Sequence, residues 1–270
     1  MANFSLTITG ADDGVDALAL AELAEAYPFV ELAILFSADR QGRPRYPSQE
    51  WREEFYDVTC DRSDSGYNTA AHLCGKLVQG RLATVGMFET EIEKNFDTIQ
   101  FNLFTPNLAP YILDYSKRYQ KTHQVVVPFN NNTKPILTSK DAEYWSTLSV
   151  LCDSSGGRGV ACKAWPDDVP QHFYDRQAVG FAGGINEQNI EAVLEGLGQM
   201  YGDKFFWIDL ETGARDADDA FDLDTVERIL ELAADFIEYD LPGLEDEIVD
   251  DETSEIGDIS ENLPQLIIIN

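Results

Sequence analysis

The sequence predicts an α/β chain folded as a single TIM (β/α)8 barrel with an acidic C-terminal tail, and three observations carry that prediction. Eight short apolar or alternating runs take turns with segments of helical spacing, which implies right-handed βαβ units and a parallel sheet. The length of 270 residues suits one such barrel, typically about 250 residues. Third, the strand runs have one polar face. In 4–9, Phe4, Leu6 and Ile8 are apolar while Ser5, Thr7 and Thr9 are small and polar; in 97–103, Ile99, Phe101 and Leu103 oppose Thr98, Gln100 and Asn102. An open parallel sheet covered by helices is apolar on both faces, whereas a barrel can carry polar side chains inside, towards its mouth. An open doubly wound sheet is the competing architecture.

The elements follow in order. The first strand, 4–9, leads into the helical GVDALALAELAEA (14–26), and the second, 31–36, into a helix over 48–56. Strands three and four fall at 68–74 and 97–103, before the helix LAPYILDYSKRYQ (108–120). Strands five and six fall at 123–128 and 148–153; in the latter Leu148, Val150, Leu151 and Cys152 make a buried run, and Asp153 sits where the chain leaves the core. Strand seven (177–182) precedes the helix NEQNIEAVLEGLGQM (186–200), and strand eight (204–209) the helix 222–238. Several helices open with Asp, Asn or Ser at the cap position. TPNLAP (105–110), PFNNNTKP (128–135) and the acidic 215–220 read as loops. The barrel is expected over 1–240. In the tail, 241–270, like charges outnumber apolar residues until the closing LIIIN, so it is expected to be extended or disordered.

The net charge is −30, from 49 acidic against 19 basic residues. That balance argues against a nucleic-acid or anionic-membrane surface, since phosphate binding needs clustered Lys and Arg. No apolar run approaches the roughly 18 residues of a membrane span, and MANFSLTITG starts a strand pattern at once without a signal segment. A cytoplasmic protein is the expectation. Cys60, Cys74, Cys152 and Cys162 show no CxxC pairing, so neither a metal site nor a disulfide framework is expected, and no cofactor. The oligomeric state is left open.

Strand parity brings His72, Cys74, Asn102, Asp153 and Asp209 to one mouth of the barrel. Asp153 precedes SSGGRG; it is a catalytic candidate or a turn-shaping residue, and Arg158 beside it suits an anion clamp because guanidinium makes two parallel bonds to phosphate or carboxylate. Arg40, Arg43 and Arg45 form a second cationic cluster in SADRQGRPRY. Gly183 and Gly184 in AGG, and Thr212 and Gly213 in LETG, let backbone N–H groups approach a phosphate, with helix starts adding partial positive charge. The loops after strands seven and eight are the usual phosphate place on a barrel. A phosphorylated small molecule is therefore the expected ligand.

QAVGFAGGINEQNIEAVLE, followed by FFWIDLETGARDADDAFDLDTVERILELA, resembles the last two βα units of phosphoribosylanthranilate isomerase in order and spacing. TITGADDGVDALALAELA resembles that family's opening, GRPRYPSQEW its segment after the second strand, and DSSGGRG the loop after the sixth strand that carries the general acid. The resemblance implies an Amadori rearrangement, in which an acid protonates the ribose ring oxygen and a base removes a proton from the neighbouring carbon. It implies that Asp153 is the acid, Asp209 a supporting acid, and Arg45 the holder of the substrate's aromatic carboxylate. Two positions depart from the family. Thr9 stands in place of the base cysteine, and an unaided threonine hydroxyl is no useful base at neutral pH; Cys74, with His72 below it, is the candidate replacement. Glu211 stands where the family usually has Ser, and its charge repels a phosphate unless it turns outward. The expected activity is an isomerase of the aldose–ketose type or a related acid–base enzyme acting on a phosphorylated sugar. A non-catalytic barrel binding an anionic ligand as a regulatory or interaction module is the alternative.

Overall fold

The computed structural model describes residues 3–60, 68–83, 90–138, 147–153, 165–166 and 168–237. The chain divides into two units, Met1–Glu238 and Tyr239–Asn270, and the described residues all belong to the first. Arg158, Cys162 and the tail 241–270 lie outside the described residues.

The strands are β1 (Phe4–Thr9), β2 (Val30–Ser37), β3 (Asn68–Cys74), β4 (Thr98–Phe101), β5 (Gln124–Pro128), β6 (Leu148–Asp153), β7 (Val179–Ala182) and β8 (Phe206–Leu210). Each pairs in parallel with the next, and β8 closes on β1 with Thr7 opposite Asp209, so the sheet is a closed barrel and the open-sheet alternative is excluded. The helices are α1 (Ala17–Ala26), α2 (Gln49–Cys60), α3 (Lys76–Ala83), α4 (Glu91–Asn95), α5 (Ala109–Tyr119), α6 (Lys134–Leu137), α7 (Gln171–Asp175), α8 (Ile190–Tyr201) and α9 (Leu223–Ala234). None of them is long and apolar enough to cross a membrane.

Alternation along the strands sorts side chains into two cores. The outward set, including Leu6, Leu32, Ile34, Ile99, Phe101 and Phe181, is fully buried against the helices, where Leu20, Phe55, Tyr115 and Phe173 meet it. Each such side chain contributes about 1.5–3 kcal/mol by burial. Inside the barrel a small apolar cluster forms from Val126, Leu151, Ala182 and Trp207, with Phe205 packed against them. Trp207 fills space that only glycine leaves open, because a Cβ on Gly180 would lie 2.0 Å from its ring. The starts of α1 and α9 are capped as their sequences suggest, whereas Asn189 at the start of α8 makes no side-chain cap bond. Asp16 accepts from the N–H groups of Leu18 and Ala19 at α1, and Asp222 from that of Thr225 at α9.

Some sequence readings need correction: strand four, expected over 97–103, spans only Thr98–Phe101. Within PFNNNTKP, read as a loop, Lys134 begins α6 with Pro135 in its first turn, where a missing N–H costs nothing. Strand seven is shorter than the 177–182 expected, because Gln177 takes a left-handed φ of 56° and the strand starts only at Val179.

Candidate functional site

Eight parallel strands end at one rim, so their last inward side chains converge. His72 and Cys74 from β3, Gln100 from β4, Asn102 just beyond it, Asp153 from β6 and Asp209 from β8 line one cavity of about 600 Å3. Asp153 pairs with Ala182 across β6 and β7, and Ala182 with Asp209 across β7 and β8. The two carboxylates thus stand in one row, about 10 Å apart at their Cα atoms by strand spacing. Ala182 between them is too small to separate the side chains.

Thr9 Oγ1 donates to Asp209 Oδ1 at 2.7 Å. Burial pushes the Asp209 carboxyl up to about 7; the Thr9 bond acts the other way, and the charges of Glu211, Glu31 and Asp153 add to the rise. Asp209 therefore changes charge near neutrality. The other two candidates are held uncharged. Burial pulls His72 down to about 3, leaving a neutral ring 3.4 Å from Gln100 Nε2. Burial also pushes the Cys74 thiol up, although Asn102 Nδ2 donates to its sulfur at 3.4 Å. A thiol that keeps its proton does not supply the thiolate expected of Cys74.

The mouth loops are tied by ion pairs. Arg45 Nη1 meets Glu211 Oε1 at 2.6 Å and Nη2 meets Asp219 Oδ1 at 2.6 Å. Its backbone N–H donates to Asp12 Oδ2 at 2.7 Å, and Arg215 Nη2 pairs with the same carboxylate at 2.8 Å. Arg215 also donates to the carbonyls of Gly10 and Asp219. Burial alone would raise the Asp12 carboxyl, but the donors from Arg45, Arg215 and Gly14 outweigh it and hold the group below its usual value. Arg45 and Asp219 have φ of 72° and 60°, a left-handed conformation costing roughly 1–2 kcal/mol per non-glycine residue. The network offsets that strain while joining the loops after β1, β2 and β8. It also answers the charge of Glu211, which is paired with Arg45 and not turned outward. Arg40 lies over the Tyr46 ring at 5.5 Å on the same wall, and Arg43 is exposed.

Gly183 and Gly184 take φ of 114° and 65°, two consecutive left-handed steps just before α8. Gly213 has a different constraint: a Cβ there would lie 2.1 Å from the Ile185 carbonyl oxygen, so glycine lets the β8 loop pack on the β7 loop. Thr212 lines both the main cavity and an adjoining one of about 310 Å3 shared with Gly184, Gly213 and Arg215. Among the described residues no group of three or more His, Cys, Asp or Glu side chains could hold a metal ion. Sequence reasoning missed Asp12 and Arg215. A signal existed for the second: Arg215 is the only basic residue between Lys204 and Arg228.

No family model and no curated protein matches the chain. Solved structures do. Phosphoribosyl anthranilate isomerase from Thermus thermophilus is similar with a TM-score of 0.54 at 16% identity, covering 86% of this chain and 100% of its own. A phosphoribosyl anthranilate isomerase in complex with reduced 1-(o-carboxyphenylamino)-1-deoxyribulose 5-phosphate gives 0.52 at 13%, covering 86% and 99%. A truncated 3-deoxy-D-arabino-heptulosonate 7-phosphate synthase from Thermotoga maritima gives 0.51 at 10%, covering 86% and 85%. The likeness is one of fold: a divergent barrel of the phosphoribosylanthranilate isomerase type.

Proposed function

We propose that this barrel is a phosphoribosylanthranilate isomerase-like enzyme that moves protons on a phosphorylated sugar or related anionic small molecule, with Asp153 and Asp209 as its acid–base pair. The observation that carries the reading is the Asp153–Ala182–Asp209 row facing the mouth cavity, with Asp209 held by Thr9. In an Amadori-type isomerisation one group protonates the ring oxygen and another takes the proton from the adjacent carbon. On this reading Asp153, at the mouth end of β6, takes the first role. Asp209 takes the second: a carboxyl that titrates at about 7 suits proton abstraction at neutral pH. On this reading Thr9 no longer supplies the base but orients it. Uncharged Cys74 and His72 serve with Asn102 as hydrogen-bonding wall. Gly183, Gly184, Thr212 and Gly213 receive the phosphate, with Arg158 as a further anion contact. Two similar structures support the ligand class by their own descriptions, one holding a deoxyribulose 5-phosphate derivative and the other a heptulosonate 7-phosphate synthase. One observation favours a non-catalytic binder: Arg45, expected to hold the substrate's carboxylate, is already engaged by Glu211 and Asp219.

The test is to assay isomerisation of phosphoribosylanthranilate and binding of ribulose 5-phosphate in parallel, in wild type, Asp153→Asn and Asp209→Asn. Nearly isosteric changes should keep affinity within a few-fold and lower turnover by about 100-fold or more. Binding without turnover in the wild type selects the binder; turnover retained in both variants removes the pair.

A further inference from the structure

One wall of the mouth carries a chain of hydrogen bonds with a direction. Gln100 of β4 is 4% exposed and pairs in register with His72 of β3, which is 2% exposed. Gln100 Nε2 lies 3.4 Å from His72 Nδ1 and donates to Asn102 Oδ1 at 2.8 Å, so its two N–H groups meet two acceptors. Asn102 Nδ2 in turn donates to Cys74 Sγ at 3.4 Å. Asn102 is the exposed end of the chain, and all four residues line the mouth cavity.

A carboxamide accepts on one side and donates on the other, and turning it over exchanges the two. Turning Gln100 alone would set its oxygen against Asn102 Oδ1 and lose the only bond that Asn102 Oδ1 accepts among the described residues. The whole chain would have to invert, and His72 would then need its proton on Nδ1. With Nδ1 accepting, the neutral ring carries its proton on Nε2, and the chain keeps its direction. Of the two N–H groups of Asn102, one goes to Cys74, and among the described residues no acceptor takes the other. We propose that His72 and Gln100 are positioning residues that hold the Asn102 carboxamide with its N–H side towards the mouth, so that Asn102 donates to an acceptor oxygen of the bound sugar. The role rests on the mouth being the ligand site, as proposed above. β4 is four strands from β8 in the closed barrel, so this uncharged donor stands across the mouth from Asp209. There it polarises a ligand oxygen without adding a charge, while the carboxylate takes the proton.

The test compares wild type with His72→Leu, Gln100→Leu and His72→Asn, the last placing an acceptor oxygen as many bonds from Cα as Nδ1. The first measurement needs no sugar. A donor to sulfur favours the thiolate, so the pH midpoint of Cys74 alkylation by iodoacetamide, located by peptide mapping, reports where the Asn102 N–H points. Tyr46, Glu211 and Arg40 also bear on the thiol and are the same in all four chains. The midpoint should rise by about half a unit in both leucine variants and stay at the wild-type value in His72→Asn; a change of access alone alters the rate and leaves the midpoint in place. The second measurement is affinity for ribulose 5-phosphate, which should fall by about threefold or more in the leucine variants and hold in His72→Asn. Equal midpoints in wild type and both leucine variants overturn the proposal, as does a His72→Asn chain that behaves like His72→Leu. Where one leucine variant does not fold, the other is read against His72→Asn. If the wild type binds no ribulose 5-phosphate, the functional reading fails and the alkylation midpoints alone decide the positioning chain.

Discussion

At the scale of single residues, Thr9→Val deletes one hydroxyl and tests how Asp209 is tuned. The Thr9 hydrogen bond favours the ionised form of Asp209, so losing it should move the pH–rate midpoint upward from about 7, by about one unit. A purely structural threonine would lower stability and leave the midpoint in place. Cys74 should alkylate more slowly than a free thiol at pH 7.5, because burial keeps its proton on; rapid labelling would restore it as a nucleophile. The strand-end acids were legible in the sequence because a period of two and a strand terminus together fix where a side chain points. The pairing of Arg45 with Glu211 and of Arg215 with Asp12 was not. These partners lie 166 and 203 residues apart and meet only after the barrel closes. Nor does the sequence show how far burial has neutralised His72.

At the scale of elements, the contact of β7 with β8 depends on an absent side chain. Gly180→Ala should destabilise the fold by about 1–3 kcal/mol through overpacking against Trp207. Trp207→Phe in the same chain should recover part of that loss, measured as a double-mutant cycle in urea unfolding. Equal stability of Gly180→Ala and wild type would mean that Trp207 has room elsewhere. All eight strands were readable from alternation and buried runs, and five helices from their periodicity. α3, α4, α6 and α7 are not legible in the sequence, because four to eight residues give too few turns to show an amphipathic period. α4 is fixed instead by local chemistry. Thr90 and Glu93 form a capping box, and Glu93 also accepts from Arg81 and, at 2.7 Å, from Tyr115.

At the scale of the whole molecule, stability should peak in mildly acidic solution. Burial raises Asp209 to about 7 and raises Glu31 as well, so the folded state keeps protons that the unfolded chain loses above about pH 4. Their contribution is complete below that pH and is lost as pH rises towards 7, on the order of 4 kcal/mol for Asp209. Asp12 has the opposite sign: its carboxyl is held low, so its stabilisation is present at neutral pH and lost in acid. Calorimetry should therefore find the highest Tm near pH 5, by about the unfolded carboxyl range. Asp209→Asn should flatten the fall between pH 5 and 8. With a net charge of −30, added salt should raise Tm further at pH 8 than at pH 5.

The central claim is that Asp209 carries the proton chemistry of the mouth, and the pH dependence of kcat/KM for phosphoribosylanthranilate tests it most directly. A base must be ionised to act, so the acid limb of kcat/KM should have its midpoint at about 7, and Asp209→Asn should abolish that limb together with about 99% of the activity. Absence of turnover, a rate independent of pH between 5 and 8, or an unchanged profile in Asp209→Asn would contradict the account.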